Sequence, residues 1–252
     1  MNIVFHQNFQ KYSEKLTAFI RDFDAKGEEL SNGQRNKIRI FDFKEIKINI
    51  KSFKIPNIVN KIAYRFFRKS KAKRSYEFAC TLLKKGIGTP QPIGYVENFR
   101  LGLKDSYYIS EHLSYDFTIR EPFLDKDFPD RENVLRQFTR FTYDLHQNGI
   151  EFLDHSPGNT LVKKISNYEY KFFLVDLNRM TFHEYLDFET RMKNFAKLTP
   201  DKDILRIESD EYAKLINEDA EKIFGRMDYY AQKFKVSFHR KKQLKKKLKF
   251  WK

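Results

Sequence analysis

Apolar residues recur at helical spacing at Leu16, Phe19, Ile20 and Phe23, so the chain is expected to open with a helix. In EELSNGQRNKIRIFDFKEIKINIKSF, Asn32-Gly33 marks a hairpin between two strand-like runs, and Ile46, Ile48 and Ile50 alternate with polar residues as a third strand. The sheet implied is small and antiparallel. A helical stripe follows at Ile58, Val59, Ile62, Ala63, Phe66 and Phe67, with Lys61, Arg65 and Arg68 on the other side. KAKRSYEFACTLLKKG reads as a further helix stopped by Gly86. GTPQPIGY is extended, because each proline restricts the residue before it, and DSYYISEHL reads as another strand.

From Arg131 the period changes. Val134, Leu135, Phe138, Phe141, Thr142 and Leu145 predict a long helix closed by Gly149, followed by the turn-rich EFLDHSPGNT, the strands TLVKK and YKFFLVD, and a mostly helical stretch to about Tyr230. A strand-rich first part and a helix-rich second part give an α+β fold of two lobes, 1–113 and 114–231, with 232–252 left as a basic amphipathic tail.

The 252 residues are 40% apolar and 16% aromatic, enough for a packed core and unlike a disordered or low-complexity chain. The single cysteine, Cys80, excludes an internal disulfide, and no Cys/His spacing suits zinc, so a reducing compartment is expected. The first residues turn polar at once and no apolar run approaches the roughly 20 residues of a membrane span, which points to the cytoplasm.

Charge sharpens this picture. Ile46–Tyr76 and Gln232–Lys252 each carry ten Lys or Arg and no acid, so the rest of the chain is at −5 although the whole is at +15. Two concentrated basic segments suggest specific anionic contacts. In KVSFHRKKQLKKKLKFWK, Leu244, Leu248 and Trp251 share a helical face among lysines, as in a segment lying on an anionic membrane. A solvated terminus is the plainer reading of the same residues. No nucleic-acid-binding signature accompanies them.

The chemistry lies between the two patterns. Phosphoryl transfer from ATP asks for a lysine on the α and β phosphates, a carboxylate to orient it, an Asn and an Asp to hold Mg²⁺, and a further Asp at the acceptor hydroxyl. Lys51 ends the alternation Ile48-Asn49-Ile50-Lys51 and is the candidate phosphate lysine, ahead of Lys54. It lies 18 residues after Gly33, whose hairpin tip is placed to cover the nucleotide. Glu77, the first acid after the acid-free run, is the candidate partner of Lys51. In LDHSPGN, Asp154 and Asn159 have the D-x-x-x-x-N spacing of a kinase catalytic loop, and 17 residues later FFLVDLN delivers Asp176 at the end of an apolar strand. Asp154 is then the base, Asn159 and Asp176 the metal ligands, and His155 no more than a surface residue.

These residues resemble the lipopolysaccharide core kinases, the Kdo and heptose kinase family with a protein-kinase-like fold. LDHSPGNTLV, FFLVDLNRM and the run KSFKIPNIVNKIAYRFFRKSKAKRSYEFACTLLKKGIGTPQPIGY carry the resemblance, which covers roughly Gly27 to Met180. It implies an enzyme that uses ATP and Mg²⁺ to phosphorylate a sugar hydroxyl of a lipid-anchored anionic glycan, Kdo on a lipid A precursor foremost. It also implies a peripheral location on the cytoplasmic face of the inner membrane, with Arg65, Arg68, Arg74 and the tail as contacts. Ser110-Glu111-His112-Leu113 falls at the expected link between lobes, so Glu111 and Leu113 are the candidate contacts of the nucleotide base. The chain departs from the usual kinase pattern in three ways: it has no G-x-G-x-x-G, Phe152 stands where a histidine is usual, and DLN replaces DFG. Another small-molecule or protein acceptor, or a membrane-associated pseudokinase, would fit the same residues.

Overall fold

The computed structural model describes residues 1–32, 36–53, 69–99 and 103–249. Gly33, Lys54, Trp251 and the stripe Ile58–Arg68 with Arg65 lie outside the described residues. The chain forms two compact units, Met1–Ser114 with Leu174–Arg179, and Tyr115–Phe173 with Met180–Lys252.

The first unit is built on a six-stranded antiparallel sheet of order β1-β5-β6-β4-β3-β2. Its strands are β1 (Asn2–Phe5), β2 (Glu28–Asn32), β3 (Asn36–Phe43), β4 (Ile46–Phe53), β5 (Pro92–Phe99) and β6 (Leu103–Glu111). The expected helix at Leu16 is present as Ser13–Arg21, but it does not open the chain: β1 and a 3-10 turn, Gln7–Tyr12, come first. β1 was hidden because its partner is distant, Ile3 lying opposite Val96. Along β4, Ile48 and Ile50 are fully buried and pack with Phe5, Leu16, Phe41, Ile93 and Ile109, so Lys51 falls on the opposite face. The helix Lys71–Lys84 starts at Ser70, whose hydroxyl accepts from Lys73 N at 3.0 Å, and ends where Gly86 takes φ 73 and Ile87 N returns to Leu82 O.

The second unit is mostly helical. Its longest buried stripe is on the helix Arg131–Gln147, where Val134, Leu135, Phe138, Thr139, Thr142, Leu145 and His146 face inward. They pack against the helix Lys202–Ile216 and the first part of the helix Ala220–Lys249 through Ile204, Leu205, Tyr212, Ile223, Met227 and Ala231. Two small sheets are added: β10-β9-β7, from β7 (Phe117–Thr118), β9 (Thr160–Lys164) and β10 (Tyr170–Leu174), and β8 (Ile150–Phe152) with β11 (Met180–Phe182). Gly149 connects the long helix to β8 at φ 70, and a Cβ there would collide with the carbonyl of His183, so only glycine fits. The basic tail is not a separate element. As far as Lys249 it is the end of the helix that begins at Ala220.

Candidate active site

In the first unit, β4 presents Lys51 to Asp176. The strand alternation that buries Ile48 and Ile50 turns Lys51 outward, and its Nζ meets Asp176 Oδ1 at 2.7 Å, with side chains 15% and 36% exposed. Asp176 reaches this position from the segment after β10, which is tied down by Leu174: its N–H donates to Gly88 O and its carbonyl accepts from the Thr89 hydroxyl, each at 2.8 Å. Asp176 has φ 58, left-handed backbone that a non-glycine residue adopts at some cost. Asn178 Nδ2 donates to the same Oδ1 at 2.7 Å. A carboxylate is thus held in an unusual backbone conformation by a lysine and an amide.

Glu77 is not brought to Lys51. It lies in the helix Lys71–Lys84 and pairs with Lys69 at 2.8 Å, both side chains being substantially open to solvent. Such an exposed pair contributes well under about 1 kcal/mol. At the end of the unit, Glu111 N donates to Gln91 O and His112 N to Lys47 O, while His112 Nδ1 lies 3.1 Å from Asn49 Oδ1. Burial raises the Glu111 carboxyl above its usual range. Leu113 is half-buried beside it.

In the second unit, the loop after β8 carries Asp154 and Asn159, with Pro157–Asn159 wound as one 3-10 turn. Asn159 Nδ2 donates to Asp154 O at 2.9 Å, which closes the loop on itself. Lys197, in the 3-10 turn Phe195–Lys197, donates to Asp154 Oδ1 at 3.0 Å and also to the Leu153 carbonyl. Sequence reasoning missed Lys197, which belongs to no motif and sits 43 residues beyond Asp154.

A buried relay sets the base of this loop. Asn194 Nδ2 donates to Phe152 O at 2.9 Å, and Asn194 Oδ1 faces His146 Nε2 at 3.2 Å. An amide oxygen there requires the proton on Nε2, so Nδ1 accepts from the Tyr212 hydroxyl at 2.8 Å. Burial holds His146 neutral, its pKa pushed down to about 3.

The same holds for His155, and it corrects the expectation of a surface residue. His155 is buried between Phe138 and Phe152, and desolvation pushes its pKa down to about 3. Thr142 already donates to Phe138 O, so it accepts from His155 Nε2 at 3.2 Å. The ring is a core element of the loop.

Among solved structures, WaaP in complex with acyl carrier protein matches 92% of this chain and 98% of its own, with a TM-score of 0.66 and 16% identity. The fold is protein-kinase-like. At that identity the likeness is one of fold, and it agrees with the resemblance read from LDHSPGNTLV and FFLVDLNRM. No family model matches the chain, and no curated protein does. In a WaaP-like fold the antiparallel sheet with Lys51 and Asp176 makes up the N-terminal unit, and the Asp154–Asn159 loop belongs to the helical one.

No group of three or more His, Cys, Asp or Glu side chains is clustered for a metal among the described residues. The candidate donors for Mg²⁺ are instead the Asp176 carboxylate and the Asn159 amide oxygen. Both are hard oxygen ligands of the kind Mg²⁺ takes, with the remaining positions filled by water and phosphate. They fit the ion.

Proposed function

We propose that this protein is an ATP- and Mg²⁺-dependent kinase that phosphorylates a sugar hydroxyl of the lipopolysaccharide core, with Kdo on a lipid A precursor as acceptor. The observation that carries the reading is the pair Lys51–Asp176, a strand lysine and a carboxylate in left-handed backbone, within a WaaP-like fold. The D-x-x-x-x-N loop of the second unit supplies the remaining groups.

In this reading Lys51 would bind the α and β phosphates of ATP, and Asp176 and Asn159 are the candidate ligands of Mg²⁺, whose charge would offset that of the transferring phosphoryl group. Asp154 accepts the proton of the acceptor hydroxyl as its oxygen bonds to the γ-phosphorus, and the bond to ADP breaks with its electron pair leaving on ADP. Lys197 keeps the Asp154 carboxylate aimed. Glu111 and Leu113 contact the nucleotide base. Glu77 joins Lys51 only if it leaves Lys69.

The helix Ala220–Lys249 supports a membrane-bound acceptor. Its last turns expose Phe234, Val236, Phe238 and Leu244 among lysines and arginines, a composition suited to an anionic lipid surface. No helix of the described residues is long and apolar enough to cross a membrane. The proposed site of action is the cytoplasmic face of the inner membrane.

The test is phosphate transfer from Mg²⁺-ATP to a Kdo-containing lipid A precursor, with the product read by mass spectrometry. One added phosphate on the sugar, absent with Asp154→Ala, is the expected result. Transfer to a soluble acceptor that survives deletion of 232–252 would shift the assignment to another acceptor. Mg²⁺-ATP binding without any transfer would leave the pseudokinase reading.

A further inference from the structure

One arginine in the second unit is seated on the candidate catalytic loop without a carboxylate of its own. β7 pairs with β9 so that Thr118 lies opposite Leu161, and Ile119 N extends the pairing by one bond, to Thr160 O at 3.1 Å. The next residue, Arg120, therefore comes level with the end of the Asp154–Asn159 loop. Its guanidinium lies against Gly158: a Cβ there would stand 3.0 Å from Arg120 Cζ and would collide with Nη2. Gly158 is required for its missing side chain.

Arg120 is exposed, and no acceptor among the described residues pairs with its guanidinium. The neighbouring carboxylate is committed elsewhere, since Glu121 Oε2 accepts from both the N–H and the hydroxyl of Thr118. By contrast Arg131 donates to Pro122 O, Arg140 to Glu211, Arg191 to Leu186 O and Arg226 to Glu189, whereas Arg240 on the last helix is exposed like Arg120 but packs on no loop glycine among the described residues. A guanidinium held by a strand register and packed on a glycine has already lost much of its freedom. Its fork of N–H donors suits two oxygens of one anion.

We propose that Arg120 is an anion-binding residue of the catalytic loop, receiving a carboxylate or phosphate group brought in by a reactant. The proposal rests on the kinase reading and names one more group of its site. The anion has two sources, an acidic acceptor or the terminal phosphoryl group of ATP, and kinetics separates them.

The experiment compares wild type, Arg120→Gln and Arg120→Lys in the transfer assay and in acceptor-free ATP hydrolysis. Calorimetric titration with inorganic phosphate gives a readout independent of activity. Because Arg120 is exposed, the thermal midpoint of both variants should stay within 2 °C or so of wild type. An acceptor KM raised about tenfold or more in Arg120→Gln, with the KM for Mg²⁺-ATP unchanged, assigns the acceptor. A kcat lowered by a similar factor with and without acceptor assigns the phosphoryl group. Arg120→Lys should recover part of either effect, because the charge remains and the fork is lost. Kinetics within twofold of wild type in Arg120→Gln would overturn the proposal. If wild type transfers no phosphate at all, the kinase reading fails, and the Arg120 proposal then stands or falls on whether phosphate binding is lost in Arg120→Gln.

Discussion

Each unit sets one candidate-site aspartate against a lysine, and the two pairs differ in what surrounds them. Asp176 accepts from Lys51 and Asn178 in left-handed backbone, and the lysine comes from a strand 125 residues earlier. Asp154 accepts from Lys197, which also donates to the adjacent backbone carbonyl, in a loop closed by Asn159 and backed by Asn194, His146 and Tyr212. The first carboxylate is held by other side chains, Lys51 and Asn178. The second sits in a loop whose carbonyls Phe152 O, Leu153 O and Asp154 O each accept from a side chain. A third acid has no lysine at all: Glu208 is fully buried with both oxygens unpartnered among the described residues, and burial pushes its pKa up to about 8.

That contrast can be broken in order of expected effect. Asp154→Ala should lower transfer at least ~10³-fold with the fold retained, since removing the proton acceptor of a positioned hydroxyl typically costs 10²–10⁴-fold, and circular dichroism with single-turnover kinetics checks both halves. Lys197→Met should cost about 10–100-fold in kcat with little change in the KM for ATP, because Asp154 Oδ1 loses the ammonium that holds it in place. A kcat within twofold of wild type would show that Asp154 keeps its place without this contact.

Glu208 sharpens the comparison through stability. Its folded pKa, about 8, lies above the ordinary 4.5, so the folded state holds a proton that the unfolded state has released between these values. Stability should therefore fall as pH rises from about 4.5 to about 8, by on the order of a few kcal/mol, and Glu208→Gln should remove most of that slope in urea melts. A slope unchanged in the variant would place its origin elsewhere. Smallest of all, Glu77→Ala should lower activity less than Lys51→Met, because Glu77 is engaged by exposed Lys69. Equal losses would mean that Glu77 moves to Lys51 when nucleotide binds.

The legible parts of the molecule were those with local pattern. The period-2 alternation of β4 pointed Lys51 away from the core, and the apolar run before Asp176 marked the strand that carries it; the structure joins the two at 2.7 Å. The stripe Val134–Leu145 became the central buried face of the helical unit. What stayed hidden depends on distant chain. β1 is defined by Val96 and Gly94, β7 by two residues opposite β9, and β8 by β11. Lys197 and Arg120 carry no signature, since each matters through what lies beside it after folding. His155 misled because a lone histidine in a polar turn looks solvated, whereas Phe138 and Phe152 close over it.

The most direct test of the two-carboxylate account is calorimetric ATP binding, with and without Mg²⁺, measured on Asp176→Ala and Asp154→Ala. The account predicts that Asp176→Ala loses the Mg²⁺-dependent part of the affinity, while Asp154→Ala binds Mg²⁺-ATP as wild type does and yet transfers no phosphate. Undiminished Mg²⁺-dependent binding by Asp176→Ala would contradict it.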